Sequence, residues 1–245
     1  MSKSAPILSI SHLSKKIGKT QILTDISLTL EKGEVFGFLG PNGSGKTTTM
    51  KAILGIIKPT TGNIEIFDST MDDIAVRKRI GFMPENTYLY KYLTGDEFLD
   101  FNGAFYGMKK SELEKRKNIV LEQVGLTHAR GKKLNAYSKG MLQRIGLAQA
   151  ILHDGELIFL DEPMSGLDPV GRRLIKDLML GLKKEGKTIF FNTHILSDVE
   201  AICDSFGIIV GGSLVANMKV SHLDMPLEDY FMEKVKESGG GKVIE

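Results

Sequence analysis

Between residues 7 and 30 apolar and polar positions alternate, with Ile26, Leu28 and Leu30 separated by Ser27 and Thr29, and Gly18-Lys19 interrupts the run. A period of two broken by turn residues predicts two strands, over 7–16 and 21–30. A short apolar run, 34–39, predicts a third strand that leads into a glycine-rich turn. Met50, Ile53, Leu54 and Ile57 then follow helical spacing, predicting a helix over 46–57 stopped by Pro59 and Gly62. Two more short strands are predicted at 63–67 and 80–83.

From Thr94 to about Asp154 the period changes to 3.6, which predicts a helical insertion. Thr94 with Glu97, and Ser111 with Glu114, have the spacing of capping boxes that open two helices, and Gly125 suits the end of the second. A third helix starts near Ser138, since Met141, Ile145, Ala148 and Leu152 share a face. Strand and helix then alternate again. Residues 157–160 form a buried strand, Asp168-Pro169 an N-cap with proline at N1, and 170–184 a helix closed by Gly186. Residues 188–192, a helix capped by Ser197 with Glu200, and 206–210 continue the rhythm, which predicts a sheet parallel at its centre. Beyond Leu223 the pattern supports one charged amphipathic helix.

Composition narrows the class. The chain has 245 residues, 42% hydrophobic and 25% charged, which excludes a disordered or collagen-like chain and allows one large domain or two small ones. With 32 basic and 30 acidic residues the formal charge is +2, too little to steer phosphate backbones, so no nucleic-acid partner is expected. A single cysteine, Cys203, forms no intramolecular disulfide and suits a small buried position in a reducing compartment. The run 206–212, which no other run lacking charged and polar side chains exceeds, is far below the ~20 residues of a membrane-spanning helix. The first residues also lack the apolar core of a secretory signal, so a cytoplasmic location is expected.

Candidate chemistry begins at Gly40-Pro41-Asn42-Gly43-Ser44-Gly45-Lys46-Thr47, which matches G-x-x-x-x-G-K-[ST] between a predicted strand and a predicted helix. Glycines there turn successive N–H groups toward a phosphate chain, and the helix start adds positive potential. Lys46 would reach the β- and γ-phosphates and Thr47 would offer its hydroxyl to Mg²⁺. Asp161 and Glu162 follow the buried strand 157–160, at the carboxyl end where open α/β sheets bind ligands. Asp161 is the candidate Mg²⁺ ligand, and Glu162 the candidate for accepting a proton from, or orienting, an attacking water.

Tyr137-Ser138-Lys139-Gly140-Met141, followed by Gln143-Arg144, resembles the signature motif of ATP-binding cassette (ABC) ATPases. Taken alone, Ser138 is equally a helix N-cap. The succession of phosphate loop, signature, Asp161-Glu162, Ser165-Gly-Leu-Asp168, and His194 after a strand is similar to the family's motif order over roughly residues 5 to 215. The resemblance implies a P-loop NTPase α/β fold: a RecA-like core (1–85 and 155–225), an N-terminal antiparallel β subdomain, an inserted helical subdomain (about 86–154) and a short tail (226–245). It implies ATP and Mg²⁺ as ligands, with nucleotide contacts from Gly40 through Lys46, Thr47 and Thr48 and at Ile17. Two cassettes, a homodimer or a pair with a paralogue, would face each other head to tail. Ser138, Lys139, Gly140 and Met141 of one would then meet the γ-phosphate held by the other. His194 would hydrogen-bond that γ-phosphate as the family's switch histidine, and Asp168 would cap its helix and line the seam.

Three positions depart from the family pattern. Ile17 stands where an aromatic residue usually stacks on adenine, so nucleotide binding would be weaker or less base-selective. Glu85 stands where glutamine usually ends the strand before the insertion; it is a possible Mg²⁺ ligand that adds negative charge. Lys139 and Met141 replace glycine and glutamine, and Lys139 points either at the nucleotide or at solvent. The pattern around Pro84-Glu85 and the signature is similar to ATPase subunits of ABC-2-type exporters. That implies a separate transmembrane permease docking near 85–92, where Tyr88, Tyr90 and Tyr92 are either an exposed strip or partly buried, with the protein peripheral at the inner face of the membrane. A soluble ABC ATPase without a transport role, or a small-molecule kinase using the same loop, remain alternatives. The first lacks support from any coiled-coil-length insertion or basic tract, and the second leaves the signature and His194 without a task.

Overall fold

The computed structural model describes residues 5–85 and 90–239. Its elements run β1 (Leu8–Ile17), β2 (Thr20–Leu30), β3 (Val35–Leu39), α1 (Lys46–Ile53), β4 (Thr61–Ile66), α2 (Ile74–Arg77), β5 (Ile80–Met83), α3 (Gly95–Phe105), α4 (Lys110–Gln123), α5 (Lys139–Ile151) and β6 (Leu157–Asp161). They continue with α6 (Pro169–Lys184), β7 (Thr188–Thr193), α7 (Leu196–Ile202), β8 (Ser205–Val210), β9 (Ser213–Lys219) and α8 (Leu227–Glu237). The succession is α/β, and the chain divides into two compact units. One holds residues up to Arg77 and from Thr188 onward; the other is Lys78–Lys187.

In the first unit, the alternating residues 7–30 supply β1 and β2, which with β4 form an antiparallel sheet in the order β2-β1-β4, with Leu8, Ile10, Leu13, Leu23, Ile26 and Leu30 buried. A second set of strands, β7-β3-β8, is parallel, and β9 pairs antiparallel with β8. Every residue of β3 and β7 is buried, so neither alternates; β3 is apolar throughout, whereas β7 also buries Thr188, Asn192 and Thr193 around its apolar centre. Phe36 and Phe38 pack their rings on Phe190 at 5.2 and 5.5 Å.

Several local expectations for this unit change. Helix α1 ends at Ile53 rather than 57, because Gly55 turns left-handed (φ 67°) and breaks the ladder. Ser197 does not cap α7; Ile195 occupies that position, and Thr193 Oγ1 accepts from the Ile195 N–H at 3.0 Å. Cys203 is half-buried rather than buried. Strand β9 had no counterpart in the sequence reading, since its residues are half-exposed and carry little alternation. The tail helix forms as α8, anchored by buried Leu227, whose N–H donates to Glu200 Oε1 at 3.0 Å.

In the second unit, β5 and β6 are parallel. The first capping box forms in full: Thr94 Oγ1 accepts from the Glu97 N–H at 3.2 Å and Glu97 Oε2 from the Thr94 N–H at 2.8 Å. The second does not, since α4 starts at Lys110 with Lys109 as N-cap. Glu114 pairs instead with Lys117 Nζ at 2.6 Å. Lys117, only 3% exposed, also meets Asp100 at 2.7 Å and Asp96 at 3.6 Å, and Arg130 grips Asp96 through two 2.7 Å hydrogen bonds. Asp168 caps α6 by accepting from the Gly171 N–H at 2.6 Å, with Pro169 at N1. No helix of the described residues is long and apolar enough to cross a membrane.

Candidate functional site

The loop after β3 is shaped by glycine and by its neighbours. Gly45 adopts φ 110°, and a Cβ there would lie 2.7 Å from Leu23 Cδ2, so no other residue fits without displacement. The Gly212 N–H donates to Ser44 O at 2.9 Å, and the Thr24 N–H to Gly212 O at 2.8 Å, bracing the loop from β2 and the β8–β9 turn. Helix α1 begins at Lys46 with no side-chain cap and no acidic residue in its first turn, leaving N–H groups and positive potential for an anion.

Lys46 is 7% exposed, and its ammonium donates to Gly40 O at 2.7 Å and Pro41 O at 3.2 Å. Ser44 Oγ is buried and has no hydrogen-bond partner among the described residues. An unpaired buried hydroxyl costs stability in isolation. Beside a buried ammonium at a helix start, it fits a phosphate group. Thr47 and Thr48 are half-buried in the first turn, while Asn42 and Gly43 are exposed.

His194 directly follows β7 and is exposed. Because Leu39 pairs with Thr193 in parallel register, His194 and Gly40 leave neighbouring strands at the same level. The unit therefore brings the histidine to the phosphate loop, although they are 154 positions apart by numbering (194 − 40). Ile17 pairs with Thr20 at the tip of the β1–β2 hairpin and is 57% exposed, an aliphatic rather than aromatic surface.

The second unit carries the carboxylates and the signature. Asp161 ends β6 and is buried, and Glu162 follows it, 8% exposed, in a left-handed conformation at φ 51°. Such a φ is costly for a residue with a side chain and persists only where neighbours hold it. Ser138 caps α5, its Oγ accepting from the Met141 N–H at 3.2 Å, and is exposed together with Lys139; Gly140 and Met141 are half-buried. Tyr137 is buried, and its hydroxyl donates to Ala129 O at 2.9 Å, seating the segment. Lys139 folds over Gly166: a Cβ at Gly166 would lie 2.6 Å from Lys139 Cε. Ser138, Lys139, Gly140, Gly166 and Asp168 line one cleft of about 400 Å³. Glu85, at the end of the described stretch after β5, is exposed.

The tyrosine strip is partly described. Tyr88 lies outside the described residues, whereas Tyr90 and Tyr92 are exposed with rings 5.9 Å apart. The sequence reading missed two companions on α3: Phe101, 5.2 Å from Tyr90, and Phe105, 4.9 Å from Phe101, both exposed. Their i, i+4 spacing after the Thr94 cap was the available signal.

Comparison with known proteins gives the family and the fold. Residues 23–165 match the family model described as "ABC transporter". An uncharacterized ABC transporter ATP-binding protein of Synechocystis is 47% identical over 81% of the chain, which spans 57% of that protein's length. The bacitracin transport ATP-binding protein of Bacillus licheniformis is 40% identical over 97% of the chain and 78% of its own length. A solved ATP-binding subunit of an ABC transporter superposes with a TM-score of 0.86 at 30% identity, covering 94% of this chain and 99% of that one.

Proposed function

This chain belongs to the ABC transporter ATP-binding family, and on that premise we propose that it binds ATP with Mg²⁺, hydrolyses it in a head-to-tail dimer and drives a separate membrane permease. The observation that supports this most is the loop 40–47, where a buried ammonium and an unpartnered buried hydroxyl meet at one helix start. In this reading Lys46 neutralises the β- and γ-phosphates and the loop N–H groups orient them. Thr47 and Asp161 would be the residues that hold Mg²⁺, with Glu85 a further candidate, and the ion would supply charge neutralisation at the phosphate oxygens. Glu162 accepts the proton of, or orients, the attacking water, and His194 donates a hydrogen bond to the γ-phosphate.

Ser138, Lys139, Gly140 and Met141 face the partner's nucleotide, with Asp168 on the seam. Donors on both sides of the γ-phosphate stabilise the charge developing in transfer more than they stabilise bound ATP. Closure on ATP and reopening after hydrolysis then select between two states of the attached permease. The exposed aromatic group Tyr90, Tyr92, Phe101 and Phe105 suits an apolar cytoplasmic segment of that permease and supports a position at the inner face of the membrane. The bacitracin transport relative supports a role in transport.

Glu162→Gln tests the reading. It should bind ATP, turn over at least about a hundredfold more slowly and accumulate a dimer visible by light scattering. Wild-type turnover in that variant, or specific activity unchanged on dilution below self-association, would overturn it.

A further inference from the structure

Glu162 is held from outside its own strand. Gln143, on the second turn of α5 and 8% exposed, uses both N–H groups of its amide on consecutive carbonyls: Nε2 donates to Glu162 O at 3.1 Å and to Pro163 O at 3.0 Å. The Ser165 N–H adds a bond to Glu162 O at 3.1 Å, closing the turn. One helical turn earlier on the same face, at i−4, Lys139 crosses Gly166, which sits at φ 69°. Helix α5 thus grips the segment 162–166 at both ends of its two left-handed residues, Glu162 and Gly166. A carboxylate on a strained backbone can turn away unless that backbone is fixed, and misplacement by about 1 Å costs a general base on the order of a hundredfold in rate.

We propose that Gln143 is a positioning residue that keeps Glu162 in its left-handed conformation, and so aims the carboxylate, by bridging the carbonyls of residues 162 and 163 from the signature helix. This rests on the role of Glu162 proposed above. Since α5 opens with Ser138, the base of each chain is anchored to the helix that this chain offers to its partner.

The test is Gln143→Met, which keeps the volume and removes both donors, studied in the full chain with Glu162→Gln and the double variant. Circular dichroism and binding of a fluorescent ATP analogue should stay at wild-type values in Gln143→Met, while kcat falls about tenfold or more at unchanged KM. In the Glu162→Gln background the same substitution should cost no further rate, because the group it positions is gone. Normal kcat in Gln143→Met, or an equal further loss in the Glu162→Gln background, overturns the proposal. Normal turnover by Glu162→Gln alone would instead remove the proposed base. Should Gln143→Met lose its folded signature, Gln143→Asn, one methylene shorter and unable to span both carbonyls, takes its place with the same expected and contrary results.

Discussion

Leu39 and Thr193 are direct partners at the carboxyl ends of two parallel strands, so the chain enters the phosphate loop at the level where β7 delivers His194. Thr193 also fixes the turn beyond it, accepting from the Ile195 N–H. His194→Ala should therefore lower kcat about a hundredfold while leaving ATP affinity within about threefold, as expected for a donor that acts on developing charge. Steady-state ATPase kinetics beside equilibrium binding check this; an equal loss in both would place the histidine in ground-state binding.

Lys46 is the buried cation of the loop. Charge-assisted hydrogen bonds to phosphate contribute about 1.5–3 kcal/mol each. Lys46→Ala should weaken ATP binding by about ten- to a hundredfold, measured with a fluorescent ATP analogue, and retained affinity would contradict the pocket.

Ser138 is exposed at the start of α5, on a cleft shared with Asp168. A Ser138→Arg chain should bind ATP as a monomer like the wild type yet hydrolyse at least about tenfold more slowly, because in the proposed dimer the damage falls on its partner's nucleotide. Mixing it with Lys46→Ala chains should leave one site built from two intact halves and recover part of the activity; no recovery would argue against shared sites.

His153 stacks on Tyr106 with ring centroids 3.6 Å apart. Burial, aided by the positive charges of Arg116 and Lys187 and opposed by the Ile80 backbone and Asp154, pushes its pKa from 6.5 down to about 4. The unfolded chain then binds the extra proton between those values. Stability is complete above about pH 6.5 and falls as the pH drops toward 4, by up to about 3 kcal/mol. Thermal melts of His153→Phe across this range should show a flatter acid limb than the wild type.

Asp96 ties α3 to Arg130 and Lys117. Burial raises its pKa, but the hydrogen bonds and charge of Arg130, with Lys117, outweigh that and hold the carboxyl below its ordinary value. Its contribution is present at neutral pH and lost as the pH falls through the depressed folded value. Asp96→Asn should cost about 2 kcal/mol at pH 7 in urea unfolding, with a smaller difference from wild type in strong acid.

Much of the second unit was legible because its signals are local. The Thr94 box, the Ser138 cap and the Asp168-Pro169 start each depend on residues within four positions of one another, and all three formed. The Ser111–Glu114 box had the same local form and failed: α4 starts earlier, at Lys110, and Glu114 pairs at i+3 with Lys117, whose burial spacing does not reveal. Likewise Ser197 lost the start of α7 to Ile195, whose N–H donates to Thr193 Oγ1, and β9 escaped notice because pairing with β8, not its own alternation, defines it.

The sequence by itself determined the chemistry on offer: a phosphate loop between strand and helix, a carboxylate pair after a buried strand and a capped signature helix, each written in contiguous residues. Tertiary structure alone decided which distant residues serve them. His194 reaches the loop through strand register, Ser44 and Gly45 are braced by β2 and the β8–β9 turn, and Glu162 is held by an amide from α5. The physical reason is range: capping and periodicity act over one helical turn, whereas register, burial and a bridging side chain depend on neighbours that only the folded chain supplies.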